Sequence, residues 1–86
     1  MMITRQIPKA GEVWRHFKNN DYRIIACPVL HTETYESMVC YQAVAGGSIY
    51  VRPLSMFMSE TDTEKYPEAK QKYRFEKVAD DVRLYQ

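Results

Sequence analysis

Residues His31 to Met58 read HTETYESMVCYQAVAGGSIYVRPLSMFM, and the fold is decided there. The stretch opens on a polar loop, Leu30 to Glu36. An apolar run, Ser37 to Ala45, follows and predicts a strand. Gly46-Gly47 then predicts a two-residue hairpin connection, because both positions can take positive φ. Ser48 to Arg52 completes the hairpin. Pro53 ends it, since proline has no N–H to give a ladder. Leu54 to Met58 then reads as a single helical turn whose Leu54, Phe57 and Met58 share one face at i, i+3 and i+4 and would plug one end of a barrel.

Working outward, Asp21 to Val29 (DYRIIACPV) predicts the strand that pairs with Ser37–Ala45, with Pro28 near its end or on an edge. Folding the chain about Glu33 and Thr34 sets Cys27 opposite Cys40 and Ala26 opposite Tyr41. Both faces of this pair are apolar: Ile25, Cys27, Met38, Cys40 and Val44 on one, Ile24, Ala26, Val39, Tyr41 and Ala43 on the other. A barrel covered on its outside gives that pattern, and so does a homodimer. Further upstream, Lys18-Asn19-Asn20-Asp21 is a turn, because Asn and Asp tolerate left-handed backbone. Before it, Glu12 to Phe17 is a strand. Residues 1–10 form a polar lead-in closed by Pro8 that folds over the body. Downstream, Ser59 to Lys72 is hydrophilic, with a short helix starting at Pro67, where the missing N–H costs little. Tyr73 to Val78 is the fifth strand, and residues 79–86 are a tail. The expectation is an all-β domain over residues 11–78: a five-stranded, strongly bent barrel with one helical turn after the fourth strand.

Bulk properties support a folded module of one domain. A chain of 86 residues buries only roughly 60–65% of its unfolded surface. Seven tyrosines, three phenylalanines and a tryptophan suit so small a core, because each ring covers a large area. Three glycines and four prolines speak against disorder. The net charge is +1, with bases and acids interleaved, which weakens a reading that depends on neutralising many phosphates. No apolar run reaches the roughly 18–20 residues of a membrane span, and nothing at the start reads as a secretory leader. Two cysteines without CxxC spacing point to reduced thiols and a cytoplasmic setting.

Chemistry-bearing residues concentrate in His31-Thr32-Glu33-Thr34-Tyr35-Glu36, an imidazole and two carboxylates in one loop. Histidine titrates near neutrality, so His31 with Glu33 offers an acid–base pair or a ligand set. The competing reading is structural, with His31 anchoring its own turn. His31-Thr32-Glu33 spells H-x-E, yet no P-C-x-x-C follows, which excludes a zinc deaminase. His16, His31, Cys27 and Cys40 lack the short paired spacing of a zinc site. No metal and no cofactor is expected, and no phosphate loop or nucleophile elbow occurs.

The runs Trp14-Arg15-His16-Phe17-Lys18, Tyr22, His31-Thr32-Glu33-Thr34 with Glu36, Val39-Cys40-Tyr41-Gln42-Ala43, Tyr50-Val51-Arg52-Pro53-Leu54 with Met56-Phe57, and Arg74-Phe75 resemble the DUF1653 family. The pattern keeps its order from residue 11 to about 78. Asn19 stands where the family tends to have glycine, Tyr50 where tryptophan is common and Cys40 where valine is common. The resemblance implies an SH3-like barrel and carries no established activity. It also implies a common motif for His31, Glu36 and Arg52, with Arg52 pairing to Glu33 or Glu36 and stapling the loop to the barrel. Arg52 is equally a fork for a carboxylate or phosphate. SH3-like barrels hold peptides, methylated lysines or bases on aromatic faces, which brings in Trp14, Tyr22, Tyr35, Tyr41 and Tyr50.

The leading expectation is a non-catalytic interaction module with a protein or peptide partner, using His16, Tyr22, His31, Glu33, Tyr35, Glu36, Tyr41 and Arg52. One alternative is a nucleic-acid accessory domain using Arg15, Lys18, Arg23 and Arg52. Another is a small-molecule binder or small enzyme acting through His31 and Glu33.

Overall fold

The structure, a computed structural model, describes residues 5–84; the first four residues of the lead-in and the last two of the tail lie outside the described residues. Five strands form one antiparallel sheet: β1 Val13–His16, β2 Asp21–Leu30, β3 Ser37–Ala43, β4 Ile49–Pro53 and β5 Phe75–Ala79. Their spatial order is β4-β3-β2-β1-β5. A single helical turn, α1 Leu54–Phe57, follows β4 directly, and a 3-10 turn covers Val82–Leu84. The fold is therefore mostly β, with the helical turn where the sequence placed it. Among the described residues no ladder joins β4 to β5, so the sheet is not a hydrogen-bonded closed barrel.

It is nevertheless sharply curled. Strands in a flat sheet lie about 4.8 Å apart, so β4 and β5 would stand roughly 19 Å from each other. Instead the guanidinium carbon of Arg52 on β4 lies 5.6 Å from the ring centre of Phe75 on β5. Tyr22, on the central strand, has Tyr50 of β4 at 6.2 Å and Phe75 at 5.8 Å. The register explains which side chains meet. Ile24↔Tyr41, Tyr41↔Tyr50, Val39↔Arg52, Trp14↔Tyr22 and His16↔Phe75 are opposed pairs, and opposed residues share a face. That face is the concave one.

Its core is Trp14, Ile24, Val39, Tyr41, Phe57, Met58 and Phe75. The helical turn delivers Phe57, fully buried, flat against Phe75 with centroids 4.0 Å apart and planes 7° apart. Trp14 and Tyr41 meet Phe57 edge-on at 5.6 and 5.4 Å. Residues 5–11 lie over one end of this core. Arg5 donates to the carbonyls of Met58 and Phe75 and stacks on Tyr73, and Pro8 is buried.

Three local expectations are corrected. The β2–β3 register starts as expected at Leu30↔Ser37, but two irregularities flanking Ala26 shift it, so Ala26 rather than Cys27 faces Cys40. Pro28, which has no N–H to give the ladder, sits inside that irregular span; Cys27 packs against the core, and both thiols are free. The β3–β4 connection is not a two-residue turn. Ala43 N–H bonds the Ser48 carbonyl, and the loop runs over residues 44–48, with Gly46 and Gly47 both at positive φ. No helix begins at Pro67. Residues 61–72 fold as successive turns closed by Thr61 N–H to the Lys72 carbonyl. Gln71 locks them to the sheet by donating to the carbonyls of Arg15 and Tyr73. A loop pinned at both ends leaves too few residues for a helix to propagate.

Replacing Phe57 by Ala empties the ring stack and should destabilise the protein by about 3–5 kcal/mol. Urea unfolding followed by tyrosine and tryptophan fluorescence measures this; a loss under about 1 kcal/mol would show that the stack is not what holds the curl.

Candidate functional site

The expected site residues separate into two places. His31, Glu33, Tyr35 and Glu36 lie in the exposed β2–β3 loop. There His31 Nδ1 accepts the backbone N–H groups of Glu33 (3.2 Å) and Thr34 (3.3 Å), while His31 N–H donates to the Glu36 carbonyl. Thr34 Oγ1 accepts from Glu36 N–H, and Tyr35 takes φ 59° to close the turn. The imidazole thus serves the backbone of its own loop, as the structural reading holds. Among the described residues no three His, Cys, Asp or Glu side chains converge into a metal cluster. Arg52 forms no ion pair with Glu33 or Glu36, which corrects the expected staple. The reason is register: opposite Val39, the Arg52 side chain belongs to the concave face and reaches Phe75.

His16, Tyr22, Tyr41 and Arg52 are brought together on that face. Tyr22 and Tyr41 meet edge-on at 5.1 Å, and His16 meets Phe75 edge-on at 4.9 Å. Arg52 is only partly exposed, and its Nη1 is buried without a hydrogen-bond partner. Such an orphan donor is uncommon, and the Phe75 ring offsets only part of its lost hydration. Burial raises the Tyr22 pKa, with Tyr41 and Tyr50 adding to it and Arg52 opposing.

Beside Arg52 opens a groove of about 250 Å³. One wall is the end of β1 and its turn, carrying His16, Phe17 and Lys18. The other is the 59–74 excursion, carrying Lys65, Tyr66 and Arg74. Phe17 and Tyr66 touch across it at 4.9 Å, and Lys18 sits 4.8 Å over the Tyr66 ring. The hydrogen bond from Lys18 pulls the Tyr66 pKa down. Four cations, Lys18, Arg52, Lys65 and Arg74, face this groove against one carboxylate, Asp62. Asp62 is already engaged, accepting the N–H groups of Glu64 and Lys65. None of the four cations has a carboxylate partner among the described residues, whereas Arg15, Lys77 and Arg83 do. Arg5, Lys9, Arg23, Lys70 and Lys72 also lack a carboxylate partner among the described residues, so what marks the groove is that four such cations share it.

His16 registers this field. Burial first, and then the positive charges of Arg52, Arg74 and Lys18, push its pKa down to about 4. Its Nδ1 accepts Lys18 N–H at 3.1 Å, so the neutral ring carries its hydrogen on Nε2.

Sequence reasoning had His16 and Arg52 but missed Lys65, Tyr66 and Arg74, which come from the hydrophilic excursion. The Lys-Tyr pair at 65–66 was the available signal, an aromatic standing alone in a polar run. Glu12 was also missed. It is buried and accepts from Trp14 Nε1 (2.9 Å) and Lys9 N–H (2.9 Å) while pairing with Lys77, so it ties the lead-in to the sheet. Glu12 stands just before β1, and its carboxylate reaches the Trp14 indole directly.

A histidine whose folded pKa lies below its unfolded value binds fewer protons folded than unfolded, so stability rises with pH in that window. The His16 contribution is complete above about pH 6.5 and disappears as pH falls toward 4. Urea unfolding at pH 7 and pH 5 should show wild type losing more stability than His16→Gln, by less than the about 1.4 kcal/mol per pH unit that one whole proton allows. Equal losses would mean that the ring titrates normally.

No curated protein and no solved structure matches the chain. One family pattern does, over residues 12–77, the stretch that holds all five strands but the last two residues of β5. The chain belongs to the family described as a protein of unknown function, DUF1653.

Proposed function

We propose that the protein is a non-catalytic binding module that holds an anionic partner in the groove beside Arg52. One observation carries the reading: four cations without carboxylate partners face a groove that holds a single, already engaged carboxylate. A protein leaves charge unneutralised at a cost in self-repulsion, and a ligand of opposite sign relieves it. The aromatic rings of Phe17 and Tyr66 line the same groove and add apolar contact. The strand order and the helical turn between β4 and β5 support reading the curled sheet as an SH3-like barrel, a frame used by many binding domains. The free thiols suit a reducing, cytoplasmic setting.

The exposed loop from His31 to Glu36 takes a secondary place, as a rim that orients a partner rather than as an acid–base centre. A nucleic-acid partner is the second reading, favoured by the same cations and rings. Of the cations first assigned to it, Arg15 is paired to Asp21 and Arg23 is hydrogen-bonded to Gln42, which leaves Lys18 and Arg52 for the task.

The test is capture from the native host's lysate with wild type and Arg52→Ala, quantifying bound protein and nucleic acid. The expected result is a partner lost or weakened about tenfold or more in the variant, in line with removing a charged hydrogen-bonding group. Binding should also weaken as salt rises from 50 to 300 mM. Capture unaffected by both the substitution and salt would refute the groove as the site.

A further inference from the structure

The free edge of β4 runs beside the cationic groove and has the features of a strand acceptor. Ala43 and Ser48 form a hydrogen-bonded pair, and such pairs alternate along an antiparallel ladder. By that alternation Tyr50 and Arg52 turn their N–H and C=O groups toward β3, while Ile49 and Val51 turn theirs away, to the sheet's open side. No strand pairs with β4 on that side, and no other backbone bond engages Ile49 or Val51 among the described residues. Their side chains are exposed, at 61% and 56%, as is Tyr50 at 46%. Folded proteins ordinarily blunt such an edge with charge, proline or a bulge. Here Pro53 blunts only the far end.

We propose that the partner is an extended acidic peptide segment, which adds to β4 as a sixth strand and sets its carboxylates against Arg52 and the neighbouring groove cations. The inference rests on the groove reading above and names its occupant. Charge complementarity selects acidic side chains, and the open edge selects a polypeptide, because only a peptide backbone can pair with Ile49 and Val51. An added strand lies about 4.8 Å beyond β4, with its alternate side chains on the concave face next to Tyr50 and Arg52. A nucleic acid would use the cations and leave the edge idle.

The experiment is a titration of isotope-labelled protein with four probes: acetylated decapeptides alternating Glu with Thr, Gln with Thr, or Lys with Thr, and a ten-residue oligothymidylate. Backbone amide shifts and hydrogen exchange are read in wild type, Arg52→Ala and Val51→Pro. Proline at 51 removes an N–H directed away from β3, so the ladder survives, and an unchanged amide spectrum elsewhere checks that it does. Ile49→Pro is the substitute if that variant unfolds. The expected result is that only the Glu-Thr peptide slows exchange at Ile49 and Val51, that Arg52→Ala weakens it about tenfold, and that Val51→Pro abolishes the protection. Glu-Thr binding that Val51→Pro leaves intact would overturn strand addition while sparing the groove. Tighter binding of the oligothymidylate would overturn the partner class. A β4-to-β4 dimer in sedimentation of the free protein would give the edge to a second copy and overturn the proposal. Binding of none of the four would overturn the groove reading itself.

Discussion

Phe57 lies flat on Phe75, and most of what this small sheet does follows from that contact. The two rings come from opposite ends of the strand order: Phe57 from the turn that follows β4, Phe75 from β5. Holding them 4.0 Å apart requires the five-stranded sheet to curl until its edges approach. Burying two phenylalanines recovers about 3–6 kcal/mol relative to leaving them in water, and the edge-on rings of Trp14 and Tyr41 add to it. In a domain of this size, whose total stability is of the order of 5–10 kcal/mol, that is a large share.

The same curl builds the groove. Arg52 on β4 and His16 on β1 have two strands between them in the sheet, yet Arg52 lies close enough to lower the His16 pKa. The 59–74 excursion supplies the groove's second wall. It is fastened by the Thr61–Lys72 bond, by Gln71 on the Arg15 and Tyr73 carbonyls, and by Arg74 Nε on Ser59 Oγ. Tied at its ends, this hydrophilic segment brings Lys65, Tyr66 and Arg74 to one groove. Like charges held together cost free energy through self-repulsion. His16 stays neutral in that field, so near neutral pH it presents a donor on Nε2 without adding to the repulsion.

The two halves of the expected site therefore divide by their partners. His31 is occupied by the backbone of its own turn, and Glu33 and Glu36 hold no cation among the described residues. Arg52 is the reverse, with its charge on the concave face and Nη1 unsatisfied. Side chains that satisfy their own backbone maintain shape, and Arg52 does no such work for its own segment.

Local chemistry written in the sequence determined the strands, the Asn19 turn, positive φ at Gly46 and Gly47, and the helical turn after Pro53, because each depends on a few adjacent residues. Residue type also singled out His16 and Arg52 as candidates, an imidazole and a guanidinium. Tertiary structure decided the rest. The irregular register around Ala26 separated Cys27 from Cys40, which no count of residues from the loop could foresee. Face alternation then sent Arg52 inward, away from the acidic loop beside it in the motif. The groove needed Lys18, Arg52, Lys65 and Arg74 to meet from three separate segments. Sequence patterns report which face a strand buries; which distant charges share a face depends on how far the sheet curls, and here two stacked rings set that.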